Sequence, residues 1–208
     1  LRSTRMVYNT LMRFAEEYPL LADWAQGLDP LEYVGDEIGR CLDDEGRVLD
    51  DASPELARLR SATEIARNRL VERLRRLVNS TQGARYLQEQ IITERNGRYV
   101  VPLKADFKGR IPGVIHDQSS SGATIFIEPL ETVELNNEWQ SLIIQEANEV
   151  ERILYALSGM VGHEAEAIAR DVELLAQIDM ILAKGRYSVS LRANPPDIVA
   201  ATPKQYDG

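Results

Sequence analysis

Five cations fall within sixteen residues of this 208-residue chain: Arg95, Arg98, Lys104, Lys108 and Arg110, interleaved with Tyr99 and Phe107. Guanidinium and ammonium groups bring full charge and several donors, so such a run suits contact with phosphate oxygens. Other chemistry is thin. His116-Asp117 beside Ser119, Ser120 and Ser121 offers the residue types of a serine-hydrolase relay. Neighbours on a strand point to opposite faces, however, and cannot relay a proton as written. Two histidines (His116, His163) and one cysteine (Cys41) do not make a Cys/His zinc set. His116 reads as a satisfied sheet residue, His163 as a surface residue and Cys41 as a small core residue. Glu131, Glu134 and Glu138 share a helix face, but a metal site would need ligands converging from other elements. GxxxxGK[ST], GxGxxG and GxSxG are all absent. No catalytic or metal-binding residue is assigned, and the five cations are the candidate nucleic-acid contacts.

The elements that must carry those cations follow from spacing. In a helical core over 1–52, Val7, Leu11, Phe14 and Tyr18 make one helix face that Pro19 ends, and Asp29-Pro30 opens another helix. Ser53-Pro54-Glu55 has the cap, first-turn proline and first-turn acid of a helix start. Leu56, Thr63, Leu70 and Leu77 then lie seven apart, with Leu59 and Ala66 offset by three, a coiled-coil-like seam in an ascending lever helix over 53–85. Over 86–130 the pattern changes to strands, at Ile91–Thr93, Tyr99–Val101, Gly113–His116 and Ala123–Ile127. Asn96-Gly97 supplies a tight hairpin turn between the first two. From 131 to 192 apolar residues recur at threes and fours, predicting a descending lever helix that Gly159 and Gly162 could bend. Asn194-Pro195-Pro196 ends it, and 193–208 reads as a linker. The fold class is mainly α with a small β subdomain: a long antiparallel helical lever carrying a short-stranded antiparallel sheet at its tip.

Charge is segregated along the chain. Residues 16–57 hold thirteen acids and two bases, 58–110 thirteen bases and five acids, and 131–179 eleven acids and two bases. The total of -9 by itself argues against nucleic acid. The basic block has two compatible readings in different halves: the seven arginines of 58–76 neutralise an acidic helix beside them, and the later part, 95–110, is displayed to phosphates. No apolar run is long enough to span a bilayer and no signal peptide is visible, so a cytoplasmic location is expected. The missing initial Met suggests a segment of something larger.

Three stretches carry a family resemblance: Gly97-Arg98-Tyr99-Val100-Val101-Pro102-Leu103-Lys104-Ala105, Gly109 to Ser119 (GRIPGVIHDQS), and Ser121 to Pro129 (SGATIFIEP), followed by Val133-Glu134-Leu135-Asn136-Asn137. Together they resemble the clamp region of the MutS family, in its second bacterial branch, whose members usually end in a Smr domain. The helical flanks resemble that family's core and lever. The resemblance implies a homodimeric ATPase, using ATP and magnesium outside this chain, that embraces branched or distorted DNA. It also implies suppression of homologous recombination through the endonucleolytic Smr domain, and a ribosome-directed role has been assigned to the same branch. This segment would then be a non-catalytic lever and clamp. The alternative is a structural or dimerisation stalk whose tip touches protein or ribosome.

Overall fold

The computed structural model describes residues 1–194, and among them the chain forms two compact units. Leu1–Gly35 and the chain from Met160 make one, Asp36–Gly159 the other. The expected linker over 193–208 lies almost wholly outside the described residues.

In the first unit, α1 (Arg2–Arg13) and α2 (Pro19–Ala25) precede the start of α3 (Glu32–Cys41), and α7 (Ala165–Leu191) returns. Pro19 occupies the first turn of α2, where its missing N–H removes no helical bond. The expected start at Asp29-Pro30 is displaced to Glu32: Asp29 Oδ1 accepts the N–H of Leu31, whose positive φ of 42° keeps these residues out of the helix.

The second unit is built on α4 (Pro54–Val78) and the beginning of α6 (Val133–His163). Ser53 caps α4 by accepting the N–H of Leu56 at 3.0 Å, satisfying one of the orphan donors of the first turn. Leu56, Leu59, Ala66, Leu70, Leu74 and Val78 are the buried stripe of α4. That stripe is covered within the chain. Leu56 packs with Ile153 and Leu157 of α6, whereas Ala66 to Val78 pack with Trp139 and the sheet. Contacts at rising numbers on α4 and its cap meet falling numbers on α6 and the turn before it: Ser53 to Glu149 (2.6 Å), Arg60 to Glu146 (3.2 Å), Arg73 to Glu131 (2.6 Å). The two helices are antiparallel, and part of the basic block does neutralise acids on this side: Arg60 pairs with Glu146 of α6 and Arg73 with Glu131 just before it.

Glu149 is the most engaged of these acids. Hydrogen bonds from Arg152 and then Ser53 hold its pKa down to about 2, from 4.5. A native carboxylate with a depressed pKa stabilises the fold fully above the unfolded value and loses that contribution as pH falls toward the native one. Glu149→Gln is therefore expected to flatten the decline in urea-denaturation midpoint between about pH 4.5 and 2. Its effect should not vary with pH near neutrality.

The sheet is all antiparallel, with β1 (Thr93–Arg95), β2 (Arg98–Lys104), β3 (Gly113–Gln118) and β4 (Thr124–Pro129) in the order β1-β2-β4-β3. Asn96 and Gly97 have φ of 53° and 75°, the left-handed pair that a two-residue hairpin requires. Val101 and Leu103 of β2, with Ile125 and Ile127 of β4, turn into the helix-facing core. The first strand starts at Thr93 and not at Ile91. Pro102 has no N–H for a neighbour on that side, so the ladder beyond Thr93↔Val100 is interrupted. Gln88 N still donates to Pro102 O, but residues 89–92 form no strand with β2.

The helix expected over 131–192 is two helices, α6 and α7, meeting at Glu164 (φ -96°, ψ 14°). The break follows Gly159 and Gly162, residues that weaken a helix interior. Glu164 also accepts the Tyr33 hydroxyl at 2.5 Å, a contact outside the helical ladder.

Candidate nucleic-acid interface

The antiparallel register separates the five candidate cations. Arg95 and Arg98 flank the β1–β2 hairpin, and Lys104 closes the other end of β2, about 20 Å away at ~3.3 Å per residue.

The hairpin end is held by the protein itself. Arg98 Nη1 donates to Glu128 Oε1 at 2.9 Å and Nη2 to Asn137 Oδ1 of α6 at 2.6 Å. Glu128 is 1% exposed, and its other oxygen lies 2.6 Å from His116 Nε2. Asn136 Oδ1 accepts the Tyr99 N–H, and Gln140 donates to the Gly97 carbonyl, which seats the turn on α6. Arg95 lies over the Phe126 ring at 4.3 Å and also contacts Asp117 at 3.3 Å. The expectation that this turn presents free bases is corrected on two counts. Arg98 neutralises a buried carboxylate, and Arg95 is stacked and ion-paired. Tyr99, read as an aromatic among the bases, turns inward on Trp139 at 4.8 Å between ring centroids. His116 is a satisfied sheet residue, as its sequence context indicated. Ser119 accepts the Thr124 N–H in the β3–β4 turn, so it forms no relay with His116.

The opposite end of the sheet is different. Lys104 pairs with Thr124, and Ala105 N donates to Ala123 O, so the loop after β2 and the β3–β4 turn emerge together. Lys104 Nζ donates to the Arg85 carbonyl at 3.3 Å and lies 5.9 Å from the Phe107 ring. Tyr86 and Phe107 meet at 5.0 Å, and the Arg85 guanidinium lies 5.6 Å from the Tyr86 ring. Lys108 and Arg110 are exposed. No described residue makes a side-chain ion pair or hydrogen bond with either. Asp106 is the acid of this loop. The end of the sheet thus gathers Arg85 and Lys104 around a half-buried aromatic pair, and the loop that leaves it toward β3 carries Lys108 and Arg110.

Arg85 and Tyr86 were not among the sequence candidates: Arg85 ends the expected lever helix over 53–85, and Tyr86 opens the expected strand region over 86–130. A short second helix, α5 (Thr81–Tyr86), forms there instead, with Ser80 accepting the Gly83 N–H at 3.1 Å. Gly83 allows the turn to close: a Cβ at that position would stand 2.4 Å from the carbonyl oxygens of Leu77 and Val78. The usable signal was Ser80 as a second cap.

Among the described residues no three His, Cys, Asp or Glu side chains are placed to hold a metal ion. The sequence has no GxxxxGK[ST] phosphate loop. No helix among the described residues is long and apolar enough to cross a membrane. Cys41 is buried, and burial, the largest influence, pushes its thiol pKa up.

No family model matches this chain. Among individual proteins, one from Symbiobacterium thermophilum named Endonuclease MutS2 is 43% identical over 192 residues, 91% of this chain and 24% of its own length. A Geobacillus protein of the same name is 42% identical over 195 residues, 94% of this chain and 25% of its own. One from Bacillus velezensis, also so named, is 39% identical over 178 residues. The chain spans about a quarter of the length of these relatives.

Proposed function

This chain is a segment of the MutS2 branch of the MutS family, and from that premise we propose that it is the lever and clamp of a larger DNA-binding ATPase. In this reading α4 and α6 form the lever, the four-stranded sheet is the clamp, and the clamp grips the backbone of branched or distorted DNA. The parent would be a homodimer that suppresses homologous recombination, with ATPase and endonuclease activities outside these residues.

The observation that carries the reading is the cationic end of the sheet, where Lys108 and Arg110 are exposed and bound to no acid among the described residues. Every neutralised phosphate releases counterions, so such contacts give sequence-independent affinity that falls steeply with salt. The chain as a whole carries a net charge of -9, so a single segment binds weakly. Two clamps closing on one duplex would raise affinity through effective concentration.

Lys108→Glu combined with Arg110→Glu tests this. Branched-duplex affinity at low salt is expected to fall at least about tenfold, and the slope of log affinity against log salt by about 2. Fluorescence anisotropy over a salt series reads both. Unchanged binding would favour the second reading, a stalk whose tip touches protein or ribosome. That reading has its own support, since Arg95 and Arg98 are engaged within the sheet.

A further inference from the structure

The outer face of the sheet carries a groove of about 240 Å³ that backbone contact leaves unexplained. It lies beside Pro102, where residues 89–92 form no strand with β2. Phe126 forms part of its wall, with Gln88, Glu89, Ile91, Thr93 and Thr124 around it. We infer that this groove receives one unpaired nucleobase extruded from the nucleic acid held at the adjacent cationic end. The inference rests on the proposed gripping role and adds to it the feature that would be recognised.

Three observations converge. First, Phe126 already bears a planar cation, the Arg95 guanidinium at 4.3 Å, held in place by Thr93 Oγ1 (3.2 Å), the Glu94 carbonyl (2.8 Å) and Asp117 (3.3 Å). A rigid ring–guanidinium pair is a stacking platform, and any base has a π-face to add to it. Second, the polar lining suits base edges. The Gln88 amide, the Glu89 carboxylate and the hydroxyls of Thr93 and Thr124 can donate to or accept from ring nitrogens, carbonyls and amino groups. Third, the groove adjoins the cations. Pro102 in its wall and Lys104 lie on the same face of β2, about 7 Å apart along the strand, and Thr124 is the direct partner of Lys104. A backbone held at Lys104 therefore has its bases within reach of the groove. A fully stacked duplex has no free base to insert, so the groove would sense interruptions in pairing.

The test uses this chain with a duplex carrying one bulged 2-aminopurine, a fully paired duplex of the same sequence, and the same 2-aminopurine in a short single strand. The bulged duplex is expected to bind roughly tenfold more tightly than the paired one, the scale of a single stacked base. Its fluorescence should drop severalfold on binding. Phe126→Leu removes the ring, and Ile91→Trp fills the groove from an exposed position; each should abolish the preference and the quenching. Both variants should retain paired-duplex affinity within about twofold. Equal affinity of the unaltered chain for bulged and paired duplex, or quenching that survives Ile91→Trp, overturns the inference. The gripping role fails separately, through paired-duplex binding indifferent to Lys108→Glu/Arg110→Glu; quenching of the single strand would then still report on the groove.

Discussion

Replacing Arg98 with methionine is expected to cost the fold about 3 kcal/mol and to leave DNA affinity per folded molecule unchanged. The guanidinium is one of two side chains that compensate Glu128, at 2.9 Å, and that carboxylate is 1% exposed. Removing it leaves the buried charge with His116 alone and also frees Asn137 on α6. Breaking a buried pair by deleting one partner costs about 3–5 kcal/mol. Arg98 is 25% exposed, so water reaches part of the pair and the lower end applies. Adding Glu128→Leu to Arg98→Met should restore much of the loss, because the orphaned charge disappears with its partner. Urea denaturation measures both terms. Stability near the original together with lost affinity would instead return Arg98 to the list of phosphate contacts.

Leu103→Ala is expected to destabilise by a similar amount, about 3 kcal/mol within the 2–5 kcal/mol spanned by buried leucine truncations. Leu103 is 0% exposed, pairs with Ile125 on β4 and bridges to Leu87 just beyond α5. Its neighbours in the core include Leu70, Leu74 and Val78 of α4, so the cavity would open where sheet and helix meet. Helix and sheet backbones on either side restrict collapse, which is why the full cost is expected. Hydrogen exchange should accelerate first in β2 and β4. Lys104 and the Leu87 end of α5 are tied to this position, so DNA affinity should fall as well, unlike the Arg98 case. A loss below 1 kcal/mol would mean that the sheet is not bedded on α4 as described.

These two leucine and arginine positions mark how far sequence reasoning reaches. The stripe was legible from Leu56 to Leu70 because burial on a helix repeats every three or four residues; beyond Leu70 the seven-residue spacing pointed to Leu77, whereas Leu74 and Val78 are the buried positions. Ser53-Pro54-Glu55 fixed the start of the helix through local cap chemistry. Asn96-Gly97 was legible for the same reason: a positive φ at two successive residues is a local demand that few residue types meet. Arg98 and Lys108, by contrast, are both cations in the same short basic run, and nothing local distinguishes them. What separates them is Glu128, thirty residues on, which the β2–β4 pairing brings beneath Arg98, whereas no described acid pairs with Lys108.

The same division holds for the candidate interface as a whole. Composition and local order determined a mainly helical chain with a small sheet, a hairpin at Asn96-Gly97 and a cationic stretch within it. Tertiary structure decided which cations are spent inside the fold, since strand register places residues six apart at opposite ends of a sheet. It also added Arg85 and Tyr86, delivered by a short helix that closes only because Gly83 lacks a side chain, and it opened the groove opposite Pro102. Periodicity and capping are properties of neighbours along the chain, whereas charge pairing and exposure are properties of neighbours in space.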